Sequence, residues 1–469
     1  MQGHQEYQPD LFSEVRMESL IPAKHLLRRI DALMDFSFIR QMTLPLYCEN
    51  NGRRSIDPEL FFRMSLLSYL YNIPSDRQVC EEIQYNLAYR WFCKLSLEDK
   101  VPDHSSLTRT RDRLGVECFR EIFERLIRLC LEKGLIKGTK IMMDGTHVKA
   151  DAALNSLVPK DGNGDPLDGK AENYILGQKY SNETHVSKTD PDAALAGKIG
   201  EPKRLRYKVH NTVDRESRII LDTHVTAGNE VEGKVGLGRI DAIEENFEIK
   251  VEELTADRGY GYGVNLEDLE NREVKSFVPN FRPDVGDQID HEIFTYNKDK
   301  DAFKCAQGHW LERKTTDVQE KESYQRRYVI KGGLCLNCPL NIRCFGKVPQ
   351  PGTRKSVSRN LHYKIQEKTK RRERTKVFRR AMGERQWKVE GLFAEAKMHH
   401  GLDHARYRGI SKVQIQAYMT AFVQNLKRLL ELGLLSSSDL IVRIWTEFIL
   451  YSKFLISTSK NQKFLALQQ

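Results

Sequence analysis

The sequence predicts an α/β core that follows an all-helical region and is interrupted by a cysteine-rich insertion. Three observations carry this expectation. Residues 1–135 hold helix-capping signals followed by apolar residues at helical spacing. From Lys140 onward, short apolar runs alternate with amphipathic stretches, as in a mixed sheet with helices packed on it. Between residues 281 and 363 that alternation stops, and Pro, Gly and four of the nine cysteines punctuate the chain. The expected organisation is 1–135 helical, 136–280 the first part of the core, 281–363 the insertion, 364–435 the second part of the core, and 436–469 a C-terminal helix.

The helical region reads in order. Ser19 to Met34 is expected as one helix with Pro22 in its first turn. Asp57-Pro58-Glu59 places a capping Asp before a Pro at the first helical position, and Leu60, Phe61, Met64, Leu67 and Leu70 continue the helix. Ser75-Asp76-Arg77-Gln78 is a capping box. Ala88 to Cys93 forms another helix. Pro102-Asp103-His104-Ser105 opens one that contains Thr108, Arg109, Arg111 and Arg113, and Val116 to Lys133 is stopped by Gly134. Short helices followed by an Arg-rich one suit a helix-turn-helix reader of DNA, with Arg109 and Arg113 facing it; an ordinary bundle with a basic face is the alternative.

In the core, a strand at Ile141 leads to a turn-rich loop, Pro159 to Lys170. Leu205–Val213 and Arg218–Thr226 alternate as a hairpin across Asp214–Ser217. A helix with Val235, Ile240 and Ile243 follows, then strands at Val251–Ala256 and Val274–Val278 around a helix at Leu266–Leu269. After Pro351 the chain contains no proline and reads as helices: a basic one through Arg371, one bearing Glu390, and Lys412–Leu432, whose apolar stripe suits packing.

The 469 residues carry a formal charge of +10, which favours an acidic partner such as nucleic acid. The most apolar stretch, Leu440 to Ile456, is broken by Arg443, Glu447 and Lys453, so it reads as amphipathic and not membrane-spanning. A soluble, intracellular protein is expected. Nine cysteines are an odd number for a disulfide framework. Cys335-Leu336-Asn337-Cys338, with Cys344 beyond and Cys305 upstream, gives four sulfurs suited to structural Zn²⁺, with His309 as another fourth ligand. Cys48, Cys80, Cys93, Cys118 and Cys130 read mostly as core thiols.

Two short apolar runs each meet an aspartate with a glycine close behind: Ile141-Met142-Met143 before Asp144-Gly145, and Leu254-Thr255-Ala256 before Asp257-Arg258-Gly259. A buried, unpaired carboxylate is costly. Each Asp therefore needs a partner, metal or water, unless it simply forms a turn. On two strands of one sheet they would stand side by side. Glu390 lies mid-helix among Val389, Leu392 and Phe393. Lys397 returns two turns later to nearly the same face, about 10 Å along the axis. Upstream, Lys368–Arg380 holds eight basic residues and one acidic, a net 8 − 1 = +7. Arg371, Arg372, Arg374 and Lys376 are therefore expected on phosphates. Trp387 and Trp310 suit core packing, with stacking on a base as the alternative.

Taken together, Asp144-Gly145-Thr146, Asp257-Arg258-Gly259-Tyr260 and Glu390 separated by six residues from Lys397 resemble the DDE transposases of bacterial insertion sequences. Tyr207-Lys208-Val209-His210 leading to Val213-Asp214, Thr189-Asp190-Pro191-Asp192-Ala193 and Pro102-Asp103-His104-Ser105-Ser106-Leu107 also resemble parts of that family. The resemblance spans roughly residues 11–432. It departs at one place: related families have Arg four residues before the Glu and Tyr three before that, where this chain has Gln386 and Gly383. Arg385 is one residue early, and its reach to DNA is an expectation only.

The resemblance implies an RNase H-like mixed sheet with flanking helices. It implies catalysis by Asp144, Asp257 and Glu390 holding two Mg²⁺ (or Mn²⁺) ions, with Lys397 near the DNA backbone. The partners would be the element's terminal inverted repeats and target DNA, with a homodimer in the synaptic complex and a cytoplasmic, nucleoid-associated location. An RNase H-like nuclease or resolvase without strand transfer, or a non-catalytic DNA-binding descendant, are the alternatives.

Overall fold

The computed structural model describes residues 16–48, 54–161, 180–197, 200–281, 289–290, 292–314, 318–320 and 323–432. The expected C-terminal helix, and most of the turn-rich loop after Asp161, lie outside the described residues.

Among the described residues, seven α-helices precede the sheet: α1 (Met17–Leu20), α2 (Leu26–Leu33), α3 (Phe38–Thr43), α4 (Pro58–Leu70), α5 (Asp76–Tyr85), α6 (Leu87–Phe92) and α7 (His104–Glu132). The single helix expected over Ser19–Met34 is two. Pro22 sits in the turn between them, and the His25 ring caps α2 by accepting from Leu27 N. The other starts stand as the capping rules require. Asp57, Ser75 and Asp103 accept from the N–H groups of Glu59, Gln78 and Ser105. Helix α7 kinks at Gly115, whose φ of 67° breaks the helix between the Arg-rich turn groups and the following amphipathic stretch.

The main sheet contains β1 (Lys140–Lys149), β4 (Ala194–Ala196), β5 (Arg204–Asp214), β6 (Ile220–Ala227), β7 (Glu253–Ala256) and β8 (Lys275–Phe277); β2 (Leu157–Pro159) and β3 (His185–Ser187) form a separate pair. Its order is β4-β5-β1-β7-β8, with β6 beside β5. Strands β7 and β8 run parallel to β1, while β5 is antiparallel to it. Helices α8 (Glu232–Phe247) and α9 (Gly263–Asn271) connect the parallel strands, and α11 (Tyr363–Glu373), α12 (Lys376–His399) and α13 (Ile410–Glu431) complete the chain's described part.

Helix α13 does more than pack. It joins the helical region and the sheet in one continuous core, with Phe422 edge-on to Phe62 at 5.6 Å and Tyr418 beside Phe123 at 5.5 Å. It also covers the edge of β6. Gln414 accepts from Val225 N and donates to Thr223 O, while Asn425 accepts from Ile220 N and donates to Ile220 O, all at 2.7–2.9 Å. Two side-chain amides thus satisfy backbone groups that a neighbouring strand would otherwise take.

The insertion is a second sheet: β9 (Phe294–Asn297), β10 (Ala302–Cys305), β11 (Trp310–Arg313), β12 (Val318–Glu320), β13 (Ser323–Ile330) and β14 (Ser356–Asn360), with α10 (Asn341–Phe345). It has a small core of its own around Phe303, Leu311, Tyr328 and Ile330. The Pro- and Gly-rich sequence held no hint of six strands, because four of them are only three or four residues long and too short to show a period.

Candidate active site

Asp144 stands in the middle of β1 and not at its end. The antiparallel pairing with β5 continues to Lys149, whereas the parallel pairing with β7 stops at Met143 opposite Ala256. Asp257 follows directly where β7 ends. The two aspartates therefore lie beside each other where two parallel strands part, as expected from the sequence.

Their surroundings differ. Asp144 is 9% exposed. Its Oδ1 accepts from Gly145 N at 2.8 Å, and its Oδ2 from the Arg385 guanidinium at 2.7 Å. Burial pushes its pKa up to about 6; Arg385 works against that rise and the charge of Asp257 adds to it. Asp257 is half-buried and caps the short 3₁₀ turn Arg258–Tyr260 by accepting from Gly259 N at 2.8 Å.

A third carboxylate lies here that the sequence reading missed. Glu232, the first residue of α8, places Oε1 3.1 Å from where a Cβ on Gly145 would stand, and a Cβ on Gly259 would collide with its Oε2. Lys208 from β5 pairs with it at 3.3 Å. Burial raises the Glu232 carboxyl, and Asp257 and Asp144 add to the rise against Lys208. The signal that pointed to it was the glycine after each aspartate, since both glycines make room for the same carboxylate.

Glu390 is exposed on α12. It follows Arg385 by five residues, which turns it about 140° around the helix from the face that meets Asp144. The buried face carries Arg385, Val389, Leu392, Phe393 and Ala396. The structure thus brings together Asp144, Asp257 and Arg385, and does not bring Glu390 to them. Among the described residues, no three or more His, Cys, Asp or Glu side chains are grouped so as to hold a metal ion. Arg385, expected at DNA, is buried against Asp144.

The basic positions divide. Arg109 and Arg113 are exposed on α7, whereas Arg111 between them is buried and holds both oxygens of Asp76 at 2.8 Å. Arg371, Arg374 and Lys376 are exposed, but Arg372 pairs with Glu270 at 3.1 Å, and Lys368 pairs with the same carboxylate. Lys397 is half-buried near the C-terminus of α12. Trp387, expected in the core, is 58% exposed with Arg218 over its ring. The Thr189–Ala193 segment is structural: Asp190 accepts from Tyr207 Oη at 2.6 Å and Gly409 N at 3.1 Å, and Asp192 accepts from Ile410 N, fixing the start of α13.

In the insertion, Cys305 ends β10, the Cys335-x-x-Cys338 turn precedes α10, and Cys344 lies in α10. Burial raises the Cys344 thiol; Lys355 opposes the rise, and Cys338, Cys305 and Cys335 all add to it. The four sulfurs are thus neighbours, although they do not form a metal-holding group as they stand. Cys93, Cys118 and Cys130 are buried as expected, while Cys48 is exposed.

Two family models match this chain. Residues 15–113 match a transposase domain (DUF772), and residues 304–430 match a transposase DDE domain. The DDE match contains Arg385, Glu390 and Lys397 and begins after both aspartates. No curated protein matches. Among solved structures, the chain is similar to a piggyBac transposase synaptic complex with hairpin DNA. That likeness is 10% identity over 89% of this chain and 76% of that one, with a TM-score of 0.31. It is also similar to a Mos1 transposase paired-end complex with the left transposon end, at 10% identity over 49% of this chain and 61% of that one, with a TM-score of 0.15. Likenesses at these scores assign no role to any residue of this chain.

Proposed function

We propose that this protein binds the terminal inverted repeats of a mobile element, hydrolyses DNA at the element ends and joins the 3′ ends to target DNA. The observation that carries this reading is the pair Asp144 and Asp257, set side by side where β1 and β7 part, in a chain with transposase domains. The mixed sheet, with antiparallel strands on one side of β1 and parallel strands on the other, supports an RNase H-like core.

The donor chemistry fits a hard divalent cation. The carboxylates offer only oxygen, and buried Asp144 has the Arg385 cation as a partner for its charge. Mg²⁺ or Mn²⁺, as a pair of ions when bound, supplies charge to polarise the scissile phosphate and to activate water or a 3′-hydroxyl. Asp144 and Asp257 would hold it. Arg385 keeps Asp144 oriented through its 2.7 Å bond. Glu390 and Lys397, further along α12, would add a carboxylate and a phosphate-binding cation once DNA is bound. Exposed Arg371, Arg374 and Lys376 lie on the turns just before the part of α12 that meets the site, with Arg372 beside them. They suit phosphate contact, as do Arg109 and Arg113 on α7. The cysteine set suits structural Zn²⁺. Two copies of the chain would pair the two ends, in the cytoplasm on the nucleoid. No described helix is long and apolar enough to cross a membrane.

The test is cleavage and joining of element-end DNA with Mg²⁺. Asp144→Asn and Asp257→Asn are expected to abolish both steps while DNA binding persists. Cutting at wild-type rates by either variant would refute the assignment, and cutting without joining of pre-cut ends would make the protein a nuclease.

A further inference from the structure

Two exposed surfaces of this chain combine apolar side chains with charge, and their charges are opposite in sign. The first is a groove of about 930 Å³ between the α1–α2 turn and the α5–α6 corner. The corner is sharp because Asn86 ends α5 and caps α6 at once. Its N–H donates to Glu82 O, and its side chain accepts from Ala88 N and Tyr89 N. The bend leaves Tyr85, 79% exposed, and Leu87 on the outside, in one lining with exposed Leu20. Glu81 and Glu82 belong to that lining, and neither Lys nor Arg does. Glu82 accepts from the neutral Gln78 amide at 2.9 Å, a bond that leaves its charge in place.

The second surface is the loop of the insertion between β13 and β14. Ile330 N donates to Lys355 O at 3.0 Å and closes the loop at its base. Residues 331–355 contain Lys331, Arg343, Lys347, Arg354 and Lys355 and no Asp or Glu. The loop is held in shape, with Asn341 donating to Leu336 O at 3.0 Å and Arg343 paired with Asp290 at 3.1 Å. Lys331, Lys347 and Arg354 are exposed. So are Leu334, Leu336, Ile342 and Val348, the last two by 61% and 64%. Single exposed apolar residues need no explanation, but a concentration of them marks a contact surface. Phosphates would take the cations and leave these side chains in water. A protein surface with carboxylates around an apolar centre takes both. The groove is such a surface, and the described loop and groove residues stand exposed in the same chain. Their match is therefore made between molecules.

We infer that the β13–β14 loop of one copy docks in the groove of a second copy, its apolar side chains on Leu20, Tyr85 and Leu87 and its cations beside Glu81 and Glu82. Each copy has one loop and one groove, so a twofold pair makes the contact twice and closes. The inference gives a surface to the pairing of two copies proposed above. It is stated for the protein without DNA, so its failure is distinguishable from failure of the transposition reading, which the cleavage assay tests.

The experiment is analytical ultracentrifugation of the full chain without DNA over a range of concentration and salt. A concentration-dependent dimer is expected, weakening as salt rises. The double variants Glu81→Lys/Glu82→Lys and Lys347→Glu/Arg354→Glu are each expected to weaken it about tenfold or more, because like charges then face each other. Mixed one to one, the two variants are expected to associate again, since both loop–groove contacts of the mixed pair carry opposite charges. Circular dichroism confirms folding, and Val348→Asp, at an exposed position, gives the same loss should a charge reversal misfold. A wild type that stays monomeric throughout overturns the inference. So does an unchanged dimer in either double variant or in Val348→Asp, or a mixture that fails to associate. If Lys347→Glu/Arg354→Glu loses affinity for random duplex DNA while its dimer is unchanged, the loop is a nucleic-acid surface and the inference falls.

Discussion

Replacing Asp144 by Asn should abolish cleavage and yet make the cation-free protein more stable. Burial raises the Asp144 pKa from its ordinary 3.8 to about 6, and its side chain is only 12% exposed, so little solvent screening applies. The folded chain therefore holds this proton more tightly than the unfolded chain does. Stability from this group is full below about pH 3.8 and is lost as the pH rises through 6. Above that, the ionised carboxylate costs the fold about 3 kcal/mol, two pKa units at about 1.4 kcal/mol each. Asn imitates the protonated form and can still accept from Arg385. The expected gain is about 3 kcal/mol at neutral pH, about 1.6 kcal/mol at pH 5 and about 0.6 kcal/mol at pH 4. Urea unfolding of both proteins in chelator across that range measures it. An Asn variant that is less stable than wild type at neutral pH would refute the reasoning, because attraction to Arg385 would then outweigh burial.

Three further outcomes are expected. Gln414→Ala and Asn425→Ala each leave a buried backbone N–H and C=O of β6 without partners, at a cost of about 2–4 kcal/mol each; denaturant midpoints check this, and a loss under about 0.5 kcal/mol would mean water replaces the amides. Cys338→Ser should remove zinc from protein purified without chelators and unfold the insertion, as read by metal analysis and proteolysis; finding no zinc in the wild type would end the zinc reading. Replacing Arg371, Arg372, Arg374 and Lys376 together by Ala should flatten the salt dependence of DNA binding by about 0.9 in slope per lost phosphate contact, equally on element-end and random duplex. Because Arg372 already pairs with Glu270, a change nearer three contacts than four is expected.

Much of the fold was legible because it is written in local signals. Caps at Asp57, Ser75 and Asp103, the hairpin around Asp214 and the apolar runs before both aspartates depend on neighbours within a few residues. What failed was also local in cause. Pro22 suited a first turn but lies between two helices, and the insertion's short strands carried no period. Tyr207 and Asp190 were read as parts of a family pattern, yet their 2.6 Å bond shows them fixing the start of α13.

By itself the sequence indicated most element types outside the insertion, offered Asp144 and Asp257 as neighbours on one sheet, and showed the concentration of charge before α12. Strand period and parallel register leave little freedom once two apolar runs enter one sheet. Only the tertiary structure decided which side chains face the aspartates. Helix phase turned Arg385 inward and Glu390 outward, and close packing of α8 on residues 258–262 delivered Glu232. Those contacts join residues far apart in the chain, such as Asp144 and Arg385, 241 positions distant. Their pairing follows from how helices settle on a sheet, which no local spacing encodes.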